Sequence, residues 1–329
     1  MAQISVMMAA YNAEPYIRRA LDSILQQTFR DFDIIVVDDG SRDATGAIAD
    51  AYAARDSRVH VLHQKNSGVC VTRNNAIDWT YQCSDSQWII FADSDDWMHP
   101  QMLERMITAA QEHQVRSVAC GYEETSGADP IVREENLQPQ VWNTMDFYQS
   151  SYVNAIMTCC KLYHKSLYKD IRHPTDNYFD DEFVSYKMLY AAEKMAVIPE
   201  PLYAYFVNMG GLTKRPWTPK LLDAWVAYEE QIRFFQERGE KELVAFRYRG
   251  YLENALHNDL VSREAEDTPE VRKARRRIRR KIRELIRRMR RQGCLHYRFD
   301  FDMILAYYPL RLRIYRWFRE KGERKKHGT

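Results

Sequence analysis

The sequence lacks any apolar run approaching the ~18 residues that span a bilayer, and no basic segment precedes a hydrophobic one at its start. It is therefore read as cytosolic, or as held at a membrane surface by something other than a span. Its six cysteines (70, 83, 120, 159, 160 and 294) form no Cys-x-x-Cys pair and keep no regular spacing. That argues against a zinc site and a disulfide framework, and fits a reducing compartment. Internal repeats are absent too. The composition is that of an ordinary globular protein, with 45% hydrophobic and 29% charged residues. A length of 329 residues suffices for one large core or two modest ones.

The net charge is only +2, yet it is unevenly distributed. Residues 271–329 hold 22 Lys+Arg against 5 Asp+Glu, a charge of +17, and the remainder carries −15. An acidic body with a basic tail implies an anionic partner for the tail.

Apolar runs at 4–9, 32–37, 59–63, 88–92 and 115–120 read as buried strands, and residues 16–26 show helical spacing through Ile17, Ala20, Leu21 and Ile24. Asp43 is placed to cap a helix reaching about Arg55, and Pro100 lies near the start of another. Such alternation predicts an α/β fold with a mainly parallel sheet flanked by helices. Ligands of these folds bind beyond the carboxyl ends of the strands. The polar clusters Tyr11-Asn12, Asp38-Asp39 and Asp93-Ser94-Asp95-Asp96 stand there. Residues 122–160 are irregular; pattern returns over 161–205, with an amphipathic helix at about 181–192. Two parts are expected: residues 1–215, divided near 121, and a helical region 216–329.

Asp93 and Asp95 are one residue apart, so an extended segment would put them on one face, and a turn could still converge them. Hard oxygen ligands at this spacing suit Mg²⁺ or Mn²⁺ carried by a diphosphate, whose departing charge the cation would offset. The same residues also suit a solvated turn. At Asp38-Asp39 a carboxylate could accept from a base imide, favouring uracil or thymine; the segment equally fits a strand-to-helix turn at Gly40. Arg73 beside a diphosphate would supply charge-assisted hydrogen bonds.

Ile4-Ser-Val through Ala10-Tyr-Asn12, Leu21 to Phe29, Val37-Asp-Asp-Gly-Ser-Arg-Asp43, Arg73-Asn74 and Phe91-Ala-Asp-Ser-Asp-Asp-Trp97 together resemble glycosyltransferase family 2. Cys160-Lys-Leu-Tyr-His-Lys and Tyr178-Phe-Asp-Asp-Glu-Phe183 extend the likeness to about residue 215. The resemblance implies the Rossmann-like GT-A fold, a nucleoside-diphosphate sugar donor with UDP favoured, Mn²⁺ or Mg²⁺, and inversion at the anomeric carbon. It implies a donor half over about 1–121 and an acceptor half over about 122–215. By carry-over, Ala9, Tyr11 and Asp39 lie at the donor base with Asp38 and Glu14 beside them. Arg73 faces the diphosphate or base, Asp93 and Ser94 the donor sugar, and Asp95, with Asp93, the metal. Asp181 aligns with the family's general base, with Asp180 the neighbouring alternative; a carboxylate near a helix N-terminus would also suit the dipole. No Gln-x-x-Arg-Trp follows, which argues against a processive synthase. A nucleotidyltransferase would carry a glycine-rich basic loop where Met7–Asn12 stands. A degenerate scaffold would not need Asp39, Asp93, Asp95 and Asp181 together.

In the tail, Thr268-Pro269-Glu270 is a helix start, and Ala274, Ile278, Ile282, Leu285 and Met289 recur at helical spacing among arginines. Residues 301–318 mix aromatics with arginines. Together they predict attachment to an anionic membrane on its cytoplasmic face, with Ile282, Leu285, Tyr308 and Trp317 buried in lipid. Packing of the tail on the protein is the other reading. No nucleic-acid-binding signature accompanies the charge, and a carbohydrate or lipid-linked acceptor is expected.

Overall fold

Two continuous apolar runs, Ile4–Ala10 (β1) and Phe32–Asp38 (β2), become adjacent interior parallel strands of a nine-stranded sheet. Parallel strands covered on both faces need this composition. β3 (Val59–His63) joins β2 and β4 (Trp88–Asp93) joins β1, both parallel, so the order β3-β2-β1-β4 gathers four carboxyl ends on one edge. These relations come from a computed structural model that describes residues 2–127, 137–150, 152–175, 180–207 and 216–295.

Helices α1 (Ile17–Leu25), α2 (Thr45–Ala53), α3 (Val69–Cys83) and α4 (Met102–Glu112) connect the early strands. Strand parity sorts the side chains into two cores. Val6, Met8, Ile34, Val36 and Ile90 pack with α1, α2 and α4. Met7, Ile35, Val37, Ile89 and Phe91 pack instead with α3 and with α7 (Asp180–Ala192). Past β4 the sheet is mixed. β8 (Lys161–His164) lies antiparallel between β4 and β6 (Ser117–Thr125). The 13-residue β9 (Lys194–Phe206) runs parallel to β6 and antiparallel to β5 (Trp97–Met98) and β7 (Gln140–Asn143). Between β7 and β8 stand the short helices α5 (Thr144–Ser150) and α6 (Tyr152–Ile156).

Local chemistry sets the helix starts. α2 begins at Thr45, two residues past Asp43, whose Oδ1 accepts from the Thr45 backbone N–H (3.0 Å) and hydroxyl (2.5 Å). Thr268 Oγ1 accepts from Val271 N at 3.3 Å and opens the last described helix.

The chain divides into two compact units, Met1–Lys214 and Arg215–Thr329. In the second, α8 (Trp225–Glu237) and α9 (Lys241–Val261) are joined through Gly239, whose φ of 75° is a left-handed conformation open to glycine. Along α10 (Pro269–Arg291) the stripe Val271, Ala274, Ile278, Ile282, Leu285 and Met289 is no more than 8% exposed, and α10 packs on α9. Ile282 and Leu285 are therefore spent on the protein's own core, which corrects the expectation that lipid buries them. Tyr308 and Trp317 lie outside the described residues. Among the described residues no helix is long and apolar enough to cross a membrane.

Candidate functional site

Parity decides which acidic groups meet. In β4 the odd residues Ile89 and Phe91 face α3 and α7, and Asp93 continues their series onto that face. There Arg73, on α3, donates to Asp93 Oδ1 (3.2 Å) and to Asp181 Oδ1 (3.0 Å), at the first turn of α7. The guanidinium is 7% exposed while both carboxylates are about a third exposed, so a buried cation bridges two acids that still reach solvent. Arg73 thus joins β4, α3 and α7 at one point. Asn74, next on α3, holds the segment ahead of α7 through paired bonds with the backbone of His173, each 2.8 Å.

The acidic turn itself is clamped by β9. Asp93 N donates to the Tyr203 hydroxyl (3.0 Å), and Asp96 Oδ1 accepts from Phe206 N (2.7 Å). Asp96 is 3% exposed, and among the described residues its Oδ2 has no partner within hydrogen-bond geometry. Burial, with the Asp93 charge beside it, pushes its carboxyl up to about 8. Asp93, Asp96 and Cys159 each offer a ligand atom within 4.8 Å of the others, whereas Asp95 stands outside that group. The sequence paired Asp93 with Asp95. In the structure Asp95 and Ser94 lie half-buried at the tip of the turn beyond β4. Two partly exposed carboxylates and a buried acid with one spare oxygen are hard donors that fit Mg²⁺ or Mn²⁺; the Cys159 thiol is not of that kind.

Residues predicted for the donor base flank the ends of β1 and β2. Ala9 sits in register between Val37 and Asp93. Tyr11, just past β1, is 46% exposed, with its ring available to a planar base. Asp39 is 4% exposed and accepts from Gln64 Nε2 (2.8 Å), Ser67 N (2.7 Å) and Gly68 N (2.9 Å), which ties it to the loop entering α3. Asp38 is separated from it. Its Oδ1 accepts from Ser41 N (3.1 Å), and its Oδ2 meets His63 Nδ1 (3.1 Å) on the α2 side, where a Cβ at Gly46 would come within 2.8 Å. Glu14 Oε2 accepts from Ala44 N at 3.1 Å ahead of α2. Asp38 and Glu14 thus brace the turn, Asp39 holds the loop entering α3, and Tyr11 is the exposed member of the set.

Several residues were not given roles by the sequence. The Thr158 hydroxyl donates to Asp181 Oδ1, so that oxygen receives both Arg73 and Thr158. The Lys161 ammonium is fully buried and donates to the carbonyls of Asn154 and Met157 at the end of α6, which sets the segment carrying Thr158. Burial holds its pKa below the ordinary lysine value. Ser185, on α7, adds a bond to the Ile156 carbonyl (2.6 Å). A lysine set between Cys159-Cys160 and Leu162-Tyr163 at the head of β8 is the sequence signal that could have found it. Asp180 lies at the start of α7, and its side chain is not among those described.

Residues 5–172 match the family described as Glycosyl transferase family 2. The putative glycosyltransferase EpsH of Bacillus subtilis is 30% identical over 73% of this chain and 71% of its own length. The glycosyltransferase GlyA of Streptococcus pneumoniae is 28% identical over 79% of this chain, which spans only 38% of GlyA. Among solved structures, S. aureus TarS 1–349 in complex with UDP-GlcNAc superposes with a TM-score of 0.64 at 20% identity, covering 91% of this chain and 93% of that one. The likeness at that identity is one of fold.

Proposed function

The chain belongs to glycosyltransferase family 2, and on that premise we propose that it moves one sugar, with inversion, from a nucleoside-diphosphate donor onto a carbohydrate or lipid-linked oligosaccharide acceptor in surface-polysaccharide synthesis. One observation carries the reading: Arg73 bridges Asp93 at the end of β4 and Asp181 at the start of α7, beyond the carboxyl ends of the parallel strands. Asp181 would take the proton of the attacking hydroxyl. Arg73 and the Thr158 hydroxyl both donate to its Oδ1 and fix where that carboxylate stands. Arg73 can direct charge at a diphosphate from the same position, and Tyr11 and Asp39 border the place for the base. Uracil is favoured, in keeping with the UDP-sugar bound by the TarS structure. Asp93 and Asp95 would hold Mn²⁺ or Mg²⁺, which offsets the charge of the departing diphosphate when bound.

Thermal unfolding with UDP, with and without Mn²⁺, tests the donor site, followed by a panel of nucleotide sugars screened for donor hydrolysis. Metal-dependent stabilisation by UDP that Asp95→Ala abolishes is the expected result. Stabilisation that survives both EDTA and Asp95→Ala would remove the metal from the reading.

A further inference from the structure

The cations of α10 fall into two sets. Arg272 and Arg275 pair with Asp267, Arg279 with Asp259, and Lys281 and Arg288 with Glu229 on α8. Lys273, Arg276, Arg277, Arg280 and Arg283 form no ion pair among the described residues, and all five are exposed. They line one groove of about 840 Å³ between α10 and the turn at Pro219–Ala224, with Glu270 the single acid on its wall among the described residues. Pro219, Leu222 and Ala274 supply an apolar lining.

From this groove we infer a binding site for an anionic glycan, an extended sugar chain bearing carboxylates or phosphodiesters. Spacings of three and four residues step these residues about 4.5–6 Å along the helix axis, a ladder for charges recurring along a chain. Like charges at these spacings repel one another and destabilise a helix. A neutralising partner relieves that repulsion. The arginine stems and Pro219 offer apolar contact suited to sugar rings. A lipid surface fits less well. The apolar stripe of α10 is buried in the protein and cannot insert, and a concave groove meets a flat bilayer only at its rims. As the acceptor of the proposed transfer, the glycan rests on the transferase reading; the groove's binding does not.

The test is binding of fluorescently labelled oligogalacturonate to the full chain, against an uncharged glucan of equal length, duplex DNA and vesicles containing phosphatidylglycerol. UDP-dependent thermal stabilisation is measured in parallel, so that loss of the donor site is seen separately. The charged glycan should bind, weaken steeply with salt, and lose at least tenfold in affinity in Arg276→Glu/Arg280→Glu. The charge-matched control Arg233→Glu/Lys241→Glu should lose less than twofold. If the glutamate variant unfolds, Arg276→Gln/Arg280→Gln should still lose severalfold. Equal losses in groove and control variants, or tighter binding of DNA or vesicles than of the glycan, would overturn the assignment.

Discussion

At the scale of single residues, the centre is a shared oxygen. Asp181 Oδ1 receives Arg73 and Thr158 together, so replacing Asp181 by Asn keeps the shape and removes the basic oxygen's charge. Turnover should fall about 10²–10⁴-fold, the usual contribution of a general base, with donor affinity nearly unchanged; kcat and the UDP dissociation constant report the two separately. Asp180→Asn should be milder. His63 makes a second, pH-dependent prediction. Its bonds to Asp38 and then Asp50 raise its pKa above the ordinary 6.5. The stabilisation is therefore complete below 6.5 and lost as pH rises through the raised value. Thermal midpoints taken from pH 5.5 to 8.5 should decline across that window in the wild type, and less in His63→Gln. The acidic residues were legible in sequence because they close apolar runs, where a strand must end. Their partners were not, because Arg73 finds Asp93 and Asp181 at separations of 20 and 108 residues.

At the scale of elements, the early strands could be read directly, since continuous apolar runs bounded by polar turns leave little choice. α3 was harder. Its buried side includes Thr72, Arg73 and Thr80, so the periodicity that marks a helix is carried partly by polar groups. β9 contains Pro199 and Pro201 and meets β6 through a register shift on both sides of Gly121. That closeness is needed: a Cβ at Gly121 would stand 2.7 Å from the Pro199 carbonyl and 2.8 Å from that of Glu200. Gly121→Ala should cost on the order of 1–3 kcal/mol through overpacking against backbone, read as a lowered denaturation midpoint. Lys161 acts between elements. Lys161→Met would leave the Asn154 and Met157 carbonyls without their ammonium donor, a loss on the order of 1–3 kcal/mol. Because those bonds set the Thr158 segment, kcat should fall by more than the donor KM rises.

At the scale of the whole molecule, the basic region looked from its composition like a detachable anchor. Through α10 it is core. Val271 to Met289 bury a stripe that covers α9, and Trp225, Tyr228 and Tyr251 belong to the same unit. Ending the chain after Asp267 would uncover that apolar surface, so residues 1–267 should aggregate or melt well below the full chain, as light scattering during a thermal ramp would show. Charge counts indicated an anionic partner but could not tell which arginines were already paired; that depended on Asp259 and Glu229 arriving from α9 and α8 as well as on Asp267 beside the helix start. The parity of the central strands has its own consequence for how this chain can change length over time. Because β4 alternates strictly between two cores, inserting one residue before Asp93 would swing its carboxylate away from α3 and α7 and turn apolar residues to the wrong layer. Inserting two would restore the side but carry Asp93 beyond Arg73. Inherited insertions should therefore accumulate outside the central strands, and β1, β2 and β4 should keep a fixed length between their turns.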